Sequence, residues 1–155
     1  MHKKQERDFD MITVETRDFG AVDVEESAVF EFPNGVYAFE EDKRFALLSP
    51  LGAGIYPMWL QSMDTPSLCF IVFDPVLIDD SFTVVLSDSE KSLIGVKEDS
   101  DIRSLVIARV PENYKQTTVN MKSPIIINTK NNKAEQVILP LDYPFRLPIY
   151  EQEVV

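Results

Sequence analysis

The sequence predicts an all-β protein, a small antiparallel β-barrel-like domain with at most one or two short helices. Three observations predict it. Apolar residues come in short runs rich in Val, Ile, Phe and Thr, each bounded by Gly, Pro, Asn, Asp or Ser, which is the pattern of strands and turns. The 10 prolines fall mostly at the edges of these runs, where a missing amide donor does least harm. Helical signals are confined to one stretch.

In chain order the candidate strands are "MITVET", beginning at Met11, then "AVDV", "AVFEF", "FALLS", "MWLQS", "LCFIVF", "FTVVLS", "LVIARV", "TTVNM", "PIIIN" and "EQVILP". The helix candidate is "SDSEKSLIGV", in which Ser87 caps the first turn, Glu90 completes a capping box and Gly95 ends the helix. Nothing divides the chain: no repeat, low-complexity tract or linker is present. Residues 1–10 are expected to be a flexible extension, 11–147 the folded domain, and 148–155 a tail that is either partly mobile or laid along the sheet.

Length and composition fit this reading. At 155 residues, 45% hydrophobic and 26% charged, the chain is long enough to bury a core without disulfides or metal. No apolar stretch approaches the length a membrane-spanning helix needs, and "MHKKQERDFD" lacks the apolar centre of a signal peptide, so a cytoplasmic location is expected. The single cysteine, Cys69, sits inside an apolar run and reads as an inert core thiol.

The net charge is −11, and it is uneven. Residues 1–100 hold 20 acids and 8 bases, and residues 101–155 hold 6 and 7. Phosphate-backbone binding relies on Lys and Arg, so direct nucleic-acid binding is disfavoured. An acidic surface instead steers a basic protein partner toward it.

Catalytic chemistry has few candidates. The one histidine, His2, lies in the extension, which removes Ser-His-Asp and Cys-His arrangements and multi-histidine metal sites from the folded part. The five glycines never take the spacing of a phosphate-binding loop. Asp79 and Asp80 are adjacent, so on a strand they would point to opposite faces. Glu25–Glu26 and Glu40–Glu41–Asp42 read as solvated turn charges. Trp59, Phe70, Phe73, Phe82 and Tyr143 read as core aromatics. No cofactor, metal or catalytic residue is expected.

Three stretches in order, "FPNGVYAFEEDKRFALL", "LQSMDTPSLCFIVFDP" and "TTVNMKSPIIINTKNNKAEQVIL", resemble the flagellar assembly factor FliW family over about residues 11–147. The chain departs from the family pattern in reading "GVYAFE" where "GLPGFE" is expected, in Met121 for a leucine, and in Ala134–Glu135 where glycine and glutamine are common. The resemblance implies a small cytosolic β-barrel without catalysis that switches between two protein partners. It would bind flagellin as a chaperone and, once flagellin is exported, bind and antagonise the RNA-binding translational regulator CsrA, which then releases the flagellin message.

On this reading Asp64, Asp79 and Asp80 lie near the basic partner, with Asn120 and Ile125 at a mixed polar and apolar contact, and the free protein is monomeric. Val119, Ile125 and Ile127 share a strand face, filling the barrel or covering an interface. Asn120 and Asn128 either close turns or pair with a partner backbone. Two rivals stand beside it. A small-ligand or carbohydrate-binding or hydrolysing β domain predicts a pocket holding two carboxylates, one with a raised pKa. A structural assembly subunit predicts stable self-association.

Overall fold

In the computed structural model of the chain, which describes residues 10–151, the strands are β1 (Met11–Thr16), β2 (Gly20–Glu25), β3 (Val29–Glu31), β4 (Arg44–Leu48), β5 (Met58–Ser62), β6 (Cys69–Phe73), β7 (Ile102–Arg109), β8 (Thr118–Val119), β9 (Ile125–Asn128), β10 (Lys133–Gln136) and β11 (Leu147–Pro148). Two short helices, α1 (Pro75–Ile78) and α2 (Asp88–Ile94), lie between β6 and β7. The expected extension up to residue 9, with His2, and the last four residues of the expected tail lie outside the described residues.

Seven strands close a barrel in the order β7-β6-β5-β4-β3-β10-β9, and β9 returns to β7. The ladders are antiparallel except β3–β10, which is parallel and rests on the Glu31–Lys133 pair. The eight residues of β7 let it hold β9 along Ile102–Leu105 and β8 along Ala108–Arg109. β11 pairs with β8, and the Ile149 amide donates to the Thr117 carbonyl at 3.2 Å, so the chain beyond residue 147 continues along the sheet.

Two-residue alternation sorts the side chains. Phe45 and Leu47 of β4, Leu60 of β5, Val72 of β6, Leu105 of β7, Ile125 and Ile127 of β9 and Ala134 of β10 fill the interior with Phe30 and Phe32. The Phe32 and Phe45 rings meet edge to face with centroids 5.1 Å apart. The opposite faces need covers. The β1–β2 hairpin lays Val14 and Val24 over Ala46 and Leu48. α2 and the residues after it lay Ile94 and Val96 over Ile126, Val137 and Leu139. The region around α1 and β11 packs Ile78 and Leu147 against Val106, Val119 and Met121. Val119 therefore belongs to an outer cluster, whereas Ile125 and Ile127 belong to the barrel interior.

α2 forms as its residues dictate. The Ser87 hydroxyl accepts the Glu90 amide, the Glu90 carboxylate accepts the Ser87 amide at 2.8 Å, and Gly95 takes the left-handed conformation at φ 70° that ends the helix. Two strand expectations need correction. "FTVVLS" alternates as a strand would, with Phe82, Val84 and Leu86 turned inward, but it joins no ladder. Its Thr83 amide donates instead to the Tyr143 hydroxyl at 3.0 Å. The strand expected at "EQVILP" begins earlier, at Lys133, because the turn through Asn132 (φ 59°) starts the β9–β10 hairpin sooner. α1 starts where Asp74 accepts the Val76 amide and Pro75 fixes the first helical φ, a capping signal hidden inside an apolar run.

Candidate functional site

The expected site residues are dispersed. Asp64, in the β5–β6 turn, accepts the Lys43 and Arg44 amides at 2.8 and 3.3 Å and so anchors the start of β4. Beside it the Ser62 hydroxyl donates to Asp42 at 2.6 Å and accepts the Asp64 and Thr65 amides. Asp42 is buried in this network, so one member of the acidic run at 40–42 is a structural group and not a solvated charge.

Asp79 caps the end of α1 and accepts the Ser81 hydroxyl and amide, which hold its carboxyl below the usual range. Asp80 beside it is exposed. Neither lies on a strand. Asn120 accepts the Lys122 and Ser123 amides and closes the turn after β8. Asn128 donates to the Ile94 carbonyl at 2.8 Å, fastening α2 to the end of β9. Ile125 is 0% exposed inside the barrel, so it offers the folded domain no contact surface. Burial pushes the Cys69 thiol up to about 11, with Arg17 opposing the rise, so the thiol stays protonated.

Of these residues, Asn120 lines a groove of about 440 Å³ over one end of the barrel. Phe70 and Ile107, which pack against the interior cluster, form part of its floor, and Tyr37, Ile138 and Phe145 stand around it. These three are 51%, 55% and 57% exposed, an apolar rim left uncovered by the domain itself. Arg109 and Arg146 add positive charge in the part of the chain where acids no longer outnumber bases.

Tyr37 sits in a tight turn in which Val36 and Phe39 exchange backbone hydrogen bonds. Ala38 takes φ 72° there, at the position where the family resemblance expects glycine. Gly35 is required nearby, because a Cβ on it would lie 2.6 Å from the Phe39 carbonyl oxygen and the Glu40 Cα. Gln136 ties the turn to the barrel by accepting the Tyr37 amide at 3.0 Å and donating to the Ser123 carbonyl at 3.1 Å.

On the other side of Tyr37 and Gln136 lies a second cleft, of about 420 Å³, between this turn, β10 and α2. Glu135 lines it with Glu90, Ser89, Asn34 and Leu93. Glu135 is 7% exposed, and its Oε2 is the buried side-chain polar atom without a hydrogen-bond partner among the described residues. Burial, and secondarily Glu90, push its carboxyl up to about 7. Burial also raises the Tyr37 phenol, with further contributions from Glu90 and Glu135.

The sequence reading did not single out Tyr37, Ile138, Phe145 or Glu135 as site residues. In "KAEQVIL" Glu135 falls on the outward phase of a strand, which normally means solvent; what buries it is α2, more than 40 residues earlier in the chain. The strand pattern alone carries no sign of that cover.

The family model described as FliW protein matches residues 13–149. The flagellar assembly factor FliW of Caldanaerobacter subterraneus subsp. tengcongensis is 33% identical over 138 residues, covering 88% of this chain and 92% of that protein. The protein of the same name from Carboxydothermus hydrogenoformans is 33% identical over 131 residues, 84% of each chain. A crystal structure of the flagellar assembly factor FliW superimposes with a TM-score of 0.82 at 27% identity, covering 92% of this chain and all of the other.

Proposed function

This chain belongs to the FliW family, and we propose that it is a flagellar assembly factor that works through protein partners, binding flagellin as a chaperone and antagonising the translational regulator CsrA when flagellin is scarce. The observation that carries this reading is the barrel-end groove. Three large apolar side chains are more than half exposed around it, a surface that favours a protein partner's apolar segment. The net charge of −11 supports a basic second partner, with Asp64, Asp79 and Asp80 contributing to its electrostatic steering and Asn120 to the groove contact. Ile125 acts from within the barrel wall and makes no direct contact.

The test is calorimetric titration of the chain with flagellin and with the CsrA dimer from the same organism, followed by competition between the two. Saturable binding of each, with one displacing the other and Phe145→Asp weakening flagellin, is the expected result. Binding of neither overturns it.

A second reading has one observation in its favour, the two carboxylates Glu90 and Glu135 in one cleft with Glu135 raised, which is the signature expected of a glycoside-hydrolysing site. Glu90, however, already caps α2 through its Oε1. Turnover of nitrophenyl glycosides that disappears in Glu135→Gln would establish this reading against the first.

A further inference from the structure

The Glu135 cleft has a property the groove lacks: a buried acceptor with nothing donating to it. Glu135 is buried under α2, its Oε2 has no hydrogen-bond partner among the described residues, and it lines a space large enough for a side chain. Glu90 presents a second carboxylate from the first turn of α2, and Asn34 and Ser89 add neutral polar groups. Tyr37 lines the same space, and its phenol responds to both glutamates. A buried, unsatisfied acceptor is costly, and such groups are nearly always answered by a donor.

We propose that the Glu135–Glu90 cleft is a receptor for the guanidinium of an arginine side chain carried by a protein partner. Guanidinium is the cation whose chemistry fits. It is planar, weakly hydrated compared with ammonium, and offers five N–H donors, enough to satisfy Glu135 and Glu90 together. It also stacks on aromatic rings, and Tyr37 lines the cleft. The cleft and the apolar groove share Tyr37 and Gln136, so one partner segment can place apolar residues in the groove and an arginine in the cleft. The inference rests on the reading that this chain docks proteins. It does not depend on which proteins they are.

The probe is N-acetyl-arginine amide, titrated into the isotope-labelled full chain and followed by the backbone amide resonances of Tyr37, Glu90 and Gln136. Its uncharged isostere, N-acetyl-citrulline amide, serves as the control. A lone side chain is expected to bind with Kd on the order of 1–10 mM. The expected result is saturable shifts with the arginine compound, weakened roughly tenfold or more with citrulline and in Glu135→Gln. Glu90→Gln, which keeps an acceptor for the Ser87 amide, is expected to weaken binding by a smaller factor. Equal shifts from arginine and citrulline, unchanged binding in Glu135→Gln, or no saturable shift in the wild type each overturn the proposal. Flagellin or CsrA titrations do not enter this test, so failure of the switching reading is recorded separately.

Discussion

Where the β1–β2 hairpin crosses β4 and β5, the polar groups answer one another; where α2 crosses β10, one of them has no partner. Both elements cover an outward apolar face of the same barrel. The hairpin tip is latched by the Arg17 amide donating to Gln61 Oε1 at 2.9 Å, the Arg17 guanidinium donating to the Cys69 carbonyl, and Trp59 Nε1–H donating to Asp18 at 3.0 Å. Phe19 then packs edge-on to Trp59, with centroids 5.5 Å apart. α2 has a complete capping box at its start and two asparagines, Asn128 and Asn131, donating to the Ile94 carbonyl at its end, yet Glu135 beneath it is unsatisfied. The hairpin is a closed cover. α2 closes its own termini and leaves Glu135 Oε2 below it without a donor among the described residues.

The contrast can be broken most strongly through the helix's apolar anchor. Ile94 is fully buried between α2 and the barrel wall, so Ile94→Ala removes both the burial and the contact, at an expected loss of about 3 kcal/mol in denaturant unfolding.

The next effect has the opposite sign. The Glu135 carboxyl is raised from 4.5 to about 7, so the folded chain holds this proton more tightly than the unfolded chain does. Its destabilising contribution is absent below the unfolded value, grows as pH rises, and is complete above about 7. Glu135→Gln is therefore expected to change little at about pH 4 and to stabilise the chain by roughly 1–2 kcal/mol at about pH 8, short of the full shift because the cleft admits water. Chemical denaturation at the two pH values measures the difference.

The smallest effect belongs to the hairpin. Hydrogen bonds from Arg17 first, and then from Trp59, hold the Asp18 carboxyl below its usual range. Its contribution is present above the ordinary carboxylate pKa and is lost as pH falls through the depressed value. Because the Arg17–Asp18 pair is exposed, Asp18→Asn is expected to cost only a few tenths of a kcal/mol near neutral pH. Thermal melts of this variant beside Glu135→Gln place the two covers on one scale.

The barrel was legible because strand alternation and turn residues are local. β1 and β5 fall where "MITVET" and "MWLQS" place them, and the capping box of α2 is spelled out by Ser87 and Glu90. What covers the outside of the barrel was not legible. "FTVVLS" carries the alternation of a strand because one face of it packs inward, and nothing in its composition says that no neighbour pairs with it. The candidate site suffered most from this. Asp64 and Asp79 announce themselves as acids but are occupied by turn amides and Ser81, whereas Glu135 becomes unusual only when α2 folds over it. Ile125 shows the same gap in reverse, a residue whose apolar character suits an interface as well as a core, and which the closed ring of strands places inside.

The most direct measurement is the titration of the Glu135 carboxyl carbon by NMR, in the free chain and in the presence of N-acetyl-arginine amide. A midpoint near 7 in the free chain, moving downward as the guanidinium pairs with the carboxylate, is the predicted result. A midpoint in the ordinary glutamate range, indifferent to the added arginine compound, would contradict the account of α2 as a cover over a guanidinium-binding cleft.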